Sequence, residues 1–301
     1  MSLVRRACFS RSRLPACLPA LAPALVGGIV LALPAAAAEP KKAPAPCARE
    51  PLGSGTVERV IDGRTFLLAD GREVRLAGIE VPPLPSPNHG EAAAPLAAGQ
   101  GQPSENTGAA AADALRTLVM GHEVALTGAK SATDRYGRLM ADAALSQDGG
   151  TASVAKTMVA QGLARVAAHP GTAACVAELR AAEGAARTAK LGLWGDPRYF
   201  PKQAEDVTGL SAERGRFTLV EGKIVSVRES GGAIYVNFGR RWSEDFTVTI
   251  AKRKERQFAA AGLDPRTLTG RHVMVRGWIE ERGGPWIEAS APEQIEIVAE
   301  K

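Results

Sequence analysis

A chain of 301 residues with 45% hydrophobic and 23% charged side chains is long enough for two cores and too apolar for a disordered protein. Its formal net charge is +5, but four arginines sit within "MSLVRRACFSRSR" at the start, and without them the balance is +1. That excludes a uniformly basic nucleic-acid coat, so any attraction for a polyanion must come from local clusters.

The basic opening is followed by the apolar "LAPALVGGIVLAL" and the small-residue "PAAAAEP". This order predicts a signal peptide over residues 1–38, cleaved after Ala36 to Ala38, and hence an exported protein, periplasmic or secreted. Residues 21–33 fall short of the roughly 20 apolar residues that span a bilayer. Cys17 in "LPAC" precedes the apolar run, whereas a lipid-accepting cysteine should follow it. With Cys8 and Cys17 in the leader, Cys47 and Cys175 remain. In an oxidising compartment their simplest state is a disulfide, the alternative being two unpaired thiols.

Residues 39–54 open with the Pro/Ala-rich "EPKKAPAPCAREP" and read as a linker. "GTVERVIDG", "TFLLADG" and "REVRLAGIEV" then alternate polar and apolar residues between Asp-Gly pairs, which predicts strands joined by tight turns. Residues 82–112 form a long Pro, Gly, Ala and Ser-rich loop of the kind that is functional or disordered. "ADALRTLVMG" is helical through Leu115, Leu118 and Val119; "HEVALTGAK" and "RLMADAALS" are strands; "SVAKTMVAQGLARV" and "VAELRAAEGAARTAKLGLWG" are helical, the last ending at Gly192.

Metal-dependent cleavage of a phosphodiester requires carboxylates around a hard cation, a base for water, and arginines to take up transition-state charge. Asp62, Arg75, Glu80 and Arg138 are the candidates. Here "VIDGRTFLL", "VRLAGIEVP", "TDRYGRLMADAAL", "VAKTMVAQGLARV" and "AAEGAARTAKLGLWGD" occur in the order found in the thermonuclease (staphylococcal nuclease-like) family, which residues 55–195 resemble. The resemblance implies a barrel with packed helices and, in active members, calcium-dependent cleavage of DNA and RNA. It places Arg75 and Arg138 at the two phosphate-contacting catalytic arginines and Glu80 at a calcium-binding aspartate. Arg64 stands at the other calcium aspartate, Val81 at a threonine that binds metal through its carbonyl, and Pro83 at the glutamate proposed as general base.

These departures act together. A guanidinium at Arg64 places a permanent positive charge where a divalent cation should bind, and Pro83 cannot titrate. Loss of a general base alone costs roughly 10²–10⁴-fold. The expected cofactor is therefore none, or calcium if hydrolysis survives with Asp62 assisting Glu80 and with Glu91 or Glu105 of the long loop as base. Two arrangements follow for the arginines: Arg64, Arg75 and Arg138 converge near Glu80 as an anion site, or Arg64 pairs with Glu80 and fills the metal's space. "DRYGR" ending at Arg138 could otherwise be a simple Tyr-Gly turn, and Trp194 reads as a packing residue. His89, His122, His169 and His272 lie apart, without the spacing of a zinc site.

After a linker over residues 201–215 the pattern changes. Residues 216–298 carry "GKIVSV", "YVNFG", "FTVTI" and "VRGWIE" as strands and "KRKERQFAAAG" as a short helix, and resemble an OB-like accessory barrel. The expected fold class is thus mainly β with α: a nuclease-like OB-type barrel with packed helices over 55–200, then a second small OB-like barrel. Tyr235, Phe238, Trp242 and Phe246, interleaved with Arg240 and Arg241, suit a single-strand surface, while Phe238 and Phe246 read as core. The function expected is binding of nucleic acid or another anionic partner with little hydrolysis. The rivals are an active calcium-dependent phosphodiesterase with relocated carboxylates and a structural or protein-interaction module of the cell envelope.

Overall fold

The computed structural model describes residues 50–84, 106–129, 133–147, 150–168, 173–241 and 243–298. Residues 1–38, Cys47, Glu91, Glu105, His89, His169 and Trp242 lie outside these residues, so the expectations resting on them do too. All described residues belong to one compact unit.

The first half contains strands β1 (Glu50–Asp62), β2 (Thr65–Leu68), β3 (Glu73–Leu76) and β4 (Ile79–Glu80), then helix α1 (Thr107–Val119). β5 (Glu123–Gly128), β6 (Leu139–Gln147), β7 (Gly150–Ser153), α2 (Val154–Ala160), β8 (Arg165–Val166) and α3 (Ala173–Thr188) follow. β1 is shared. Residues 50–56 pair antiparallel with β5, whereas Val57 to Asp62 pair with β2. β2 pairs with β3, β5 with β6, and β3 returns parallel to β6, so β3-β2-β1-β5-β6 closes into a ring. Closure leaves no bare edge within the ring. β1 begins at Glu50, inside the stretch expected to be linker, because β5 offers it a ladder of hydrogen bonds.

Alternation sends Phe66, Leu68, Val74, Leu76, Val124 and Leu126 inward to near-zero exposure. Burying each large apolar side chain is worth about 1.5–3 kcal/mol. α1 presents Ala111, Leu115 and Val119 to this core, four residues apart and so on one face. α2 and α3 add Met158, Val159, Val176 and Leu179. β4 and β8 form a separate antiparallel pair, with Ile79 opposite Val166 and Glu80 opposite Arg165.

The second half holds β9 (Lys202–Gln203), α4 (Val207–Ala212), β10 (Phe217–Lys223), β11 (Ser226–Ser230), β12 (Ala233–Asn237), β13 (Thr247–Ala251) and α5 (Glu255–Ala260). β14 (His272–Trp278), β15 (Glu280–Arg282), β16 (Gly284–Glu288) and β17 (Ile295–Ile297) complete it. Two sheets, β17-β14-β10-β9 and β11-β12-β13-β16-β15, enclose a second core that includes Val236, Phe246, Val248 and Ile287. Gly231 and Gly232 both take positive φ, 57° and 78°, in the tight turn joining β11 to β12, a geometry that L side chains resist. Residues 201–215 are structured, not a free linker: Ala204 and Leu210 are buried in the second core, and β9 pairs with β10. Phe238 and Phe246 face each other at 5.0 Å inside that core, so neither is a ligand platform.

A third cluster, Ala167, Ala186, Trp194, Phe217, Leu219 and Met274, joins the two halves. Trp194 packs here at 3% exposure beneath the Arg187 guanidinium, in keeping with a packing role. Among the described residues no helix is long and apolar enough to cross a membrane.

Candidate functional site

The hairpin between β1 and β2 sets the site. Asp62 pairs with Thr65 across it, and the Asp62 carboxylate accepts the Arg64 backbone N–H at 2.8 Å, a local Asx turn that suits Asp-Gly-Arg. Gly63 lies under α1, where a Cβ would come within 2.7 Å of the Ala111 methyl. Pinned from above, the chain turns the Arg64 side chain inward.

Arg64 is 5% exposed and Glu80 is 4% exposed. Arg64 Nη2 forms an ion pair with Glu80 Oε1, while Nη1 donates to the Ile79 carbonyl at 3.0 Å. Of the two arrangements open from the sequence, the observed one has Arg64 clamped on Glu80 below the surface rather than presented to solvent. Arg75, opposite Thr65 on β3, donates from Nη1 to Thr65 Oγ1 at 3.5 Å and lies 3.9 Å from Asp62 Oδ2. Arg138 is held by Asp134, from Nε at 2.8 Å and Nη2 at 2.7 Å, and lies 3.9 Å from Glu73.

Glu73 and Arg75 are two apart on β3 and share a face, so Arg138 at Glu73 brings the two arginines to the same side of the ring. Both remain partly exposed, with side chains at 17% and 20%. Beside Arg138, the Tyr136 ring is 74% exposed and lies 5.0 Å from its guanidinium, lining a groove with Arg72, Glu73 and Leu139. Burial would raise the Asp134 carboxyl, but hydrogen bonds from Arg138 and from the Tyr136 and Arg138 amides outweigh it and hold it below the usual value. The same bond pushes Arg138 up.

Calcium takes six to eight oxygen ligands. Here Asp62 and Glu80 are the carboxylates of the site, and the Arg64 guanidinium occupies Oε1 of Glu80. Among the described residues no group of three His, Cys, Asp or Glu side chains is placed to hold a metal. The donor set present does not fit calcium. His272 meets Glu221 at 3.1 Å in the second half, far along the chain from this site.

Desolvation pushes the Glu80 carboxyl from 4.5 up to about 7, against the pull of Arg64 and Arg165. An acid whose folded value is raised makes the folded state bind more protons than the unfolded one between those two values. Stability must then fall as pH climbs from about 4.5 to about 7. Each pKa unit corresponds to about 1.4 kcal/mol. Glu80→Gln should flatten the melting temperature across that window, and thermal melts of both proteins from pH 4 to pH 8 check it.

Sequence patterns missed Arg165, Tyr199, Thr107, Glu183 and Arg276. Arg165 lies opposite Glu80 and is 7% exposed. Arg276 and Glu183, 1% and 2% exposed, pair at 2.9 Å between the two halves. Arg276 shares its face of the strand with half-buried His272, buried Met274 and exposed Trp278, so the alternation of "RHVMVRGW" does not mark it as buried.

Residues 73–196 match the family model for staphylococcal nuclease homologues. The matched segment contains Arg75, Glu80, Arg138 and Arg165; Asp62 and Arg64 lie before it. No curated protein matches the chain.

Proposed function

We propose that the staphylococcal nuclease homologue segment of this chain serves a nucleic-acid-binding protein that has lost calcium-dependent hydrolysis. The observation that carries this is the Arg64 guanidinium seated on Glu80 inside the pocket. It places a permanent cation where the family's metal chemistry needs carboxylate oxygens, and Pro83 supplies no base. Arg75 and Arg138, partly exposed on one side of the ring with Tyr136 beside them, keep the means to hold a phosphate and stack a base.

The second half we read as an OB-like barrel, and the protein as exported to the periplasm or beyond. Its leader-like first residues and the Cys47 and Cys175 pair of the mature chain favour that compartment. Cys175 is buried at 5% exposure, which suits a structural cysteine.

The test is a cleavage and binding assay on single-stranded and duplex DNA, with calcium and with a chelator. The expected result is no cleavage in either condition, together with single-strand binding that weakens linearly in log affinity against log salt. Arg75→Ala should weaken binding by about tenfold, as expected for one charge-assisted phosphate contact. Chelator-sensitive cleavage that disappears in Arg75→Ala would overturn this reading and make Glu91 and Glu105 the next candidates.

A further inference from the structure

Arg165 is a buried cation that the ion pairs among the described residues leave over. It is 7% exposed on β8, and among the described residues its guanidinium meets rings alone, 5.6 Å from the Tyr199 centroid and 5.3 Å from that of Phe217. Its Nε is buried with no hydrogen-bond partner. The carboxylates whose fields act on it are Glu80, Glu183 and Glu213. Each already has its own cation: Arg64 for Glu80, Arg276 at 2.9 Å for Glu183, and Lys202 at 3.4 Å for Glu213. An arginine cannot shed its proton to relieve this, and an unpaired buried charge is strongly unfavourable.

The surroundings suit an oxyanion. The two rings near its guanidinium accept no hydrogen bond from it, so an oxyanion that reached its N–H donors would satisfy what the described residues do not. The Tyr199 hydroxyl shares a 2.6 Å hydrogen bond with Thr107 Oγ1 at the first residue of α1. The N-cap of that helix, Asn106, makes no side-chain hydrogen bond to the first turn, so the positive end of the helix is uncapped there.

We propose that Arg165, Tyr199 and Thr107 form a second oxyanion subsite that takes a phosphate group, beside Glu80 across the β4–β8 pair. The nucleic-acid reading bears on this only for the source of the phosphate, a strand or a free phosphate compound.

Melting temperature and calorimetry of the whole protein with pyrophosphate, and separately with a single-stranded oligonucleotide, test it. Pyrophosphate should raise the melting temperature of the wild type. Arg165→Met should bind pyrophosphate at least about tenfold more weakly while melting no lower than the wild type without ligand, because the variant removes an unpaired buried charge. Tyr199→Phe, which removes only the hydroxyl, should weaken pyrophosphate binding severalfold and serves if Arg165→Met fails to fold. Arg75→Ala should remove at most the share of the pyrophosphate shift that arises at Arg75 and Arg138, and the share that remains should disappear when Arg165→Met is added. A pyrophosphate shift that Arg165→Met diminishes, without oligonucleotide binding, would retain the subsite, assign it to a free phosphate compound and sink the nucleic-acid reading. No shift in the wild type, or a shift unchanged in Arg165→Met with a lowered melting temperature, would make Arg165 a structural cation between two rings and overturn the proposal.

Discussion

Arg276→Met should lower the stability of the whole chain by about 3–5 kcal/mol, the cost of removing one partner of a buried ion pair. At roughly 2–4 °C per kcal/mol for a chain of this size, the melting temperature should drop by about 10 °C. The cause lies in what Arg276 reaches. From β14 in the second half, its Nη1 donates to the Val166 carbonyl at 3.0 Å and to Glu183 Oε2 at 2.9 Å. Glu183 Oε1 in turn accepts the Val166 N–H at 2.7 Å. One arginine therefore satisfies both the helix α3 carboxylate and the strand carbonyl beside Arg165, and its loss leaves a carboxylate 2% exposed with a backbone amide as its remaining partner.

The double variant Arg276→Met with Glu183→Leu should recover most of the loss, since an apolar pair of similar volume can replace a buried ion pair with little change. Calorimetric melts of the wild type, the single and the double variant decide it. A single variant within about 1 °C of the wild type would mean that water reaches Glu183 and that the two halves are held by the Trp194 and Phe217 cluster instead. If the drop is as large as expected, the second half is a structural part of the nuclease-like half, because β8, which it braces, faces Glu80.

The ring was legible in the sequence because its signals are local. Alternation in "TFLLADG" and "REVRLAGIEV" needs only neighbouring residues to be read, and the Asp70-Gly71 turn follows from one residue's freedom at positive φ. The site was legible as a set of positions, since Asp62, Arg64, Arg75 and Glu80 fall within one hairpin-rich stretch. Whether Arg64 faced solvent or Glu80 was not legible. That choice depends on α1, nearly fifty positions along the chain, closing over Gly63 and excluding water from the pair. For the same reason Arg165 and Arg276 passed unremarked. Arg165 stands on a strand of two residues, which carries no periodicity, and for Arg276 as for Arg165 the desolvation of a charge is a property of the packed whole. Residues 201–215 looked like a linker because Ala204 and Leu210 are isolated apolar positions whose partners lie in strands that come later.

Arg64→Asp should make the stability of this protein depend on calcium. The change removes the guanidinium from Glu80 and adds a third carboxylate beside Asp62 and Glu80, so that without metal three acids crowd a pocket in which Glu80 is already raised to about 7 by burial. In chelator the variant should melt several degrees below the wild type. In calcium at a hundred times its dissociation constant it should regain about 2.7 kcal/mol by mass action. The wild type should melt at the same temperature in both. Melting with calcium and with chelator reads this without any cleavage. Adding Pro83→Glu tests the base separately, and if these two positions silenced the site the double variant should cleave DNA in calcium roughly 10²–10⁴-fold faster than Arg64→Asp alone. Calcium-dependent stability without cleavage would locate the remaining obstacle at the first turn of α1. Gly108 packs there so closely that a Cβ would sit 2.1 Å from the Pro83 carbonyl oxygen, which leaves a side chain at that position little freedom to turn toward a bound water. No calcium dependence at all would mean that Arg165, paired across from Glu80 and acting on its carboxyl, repels the ion by itself, and the triple variant with Arg165→Met should then restore it.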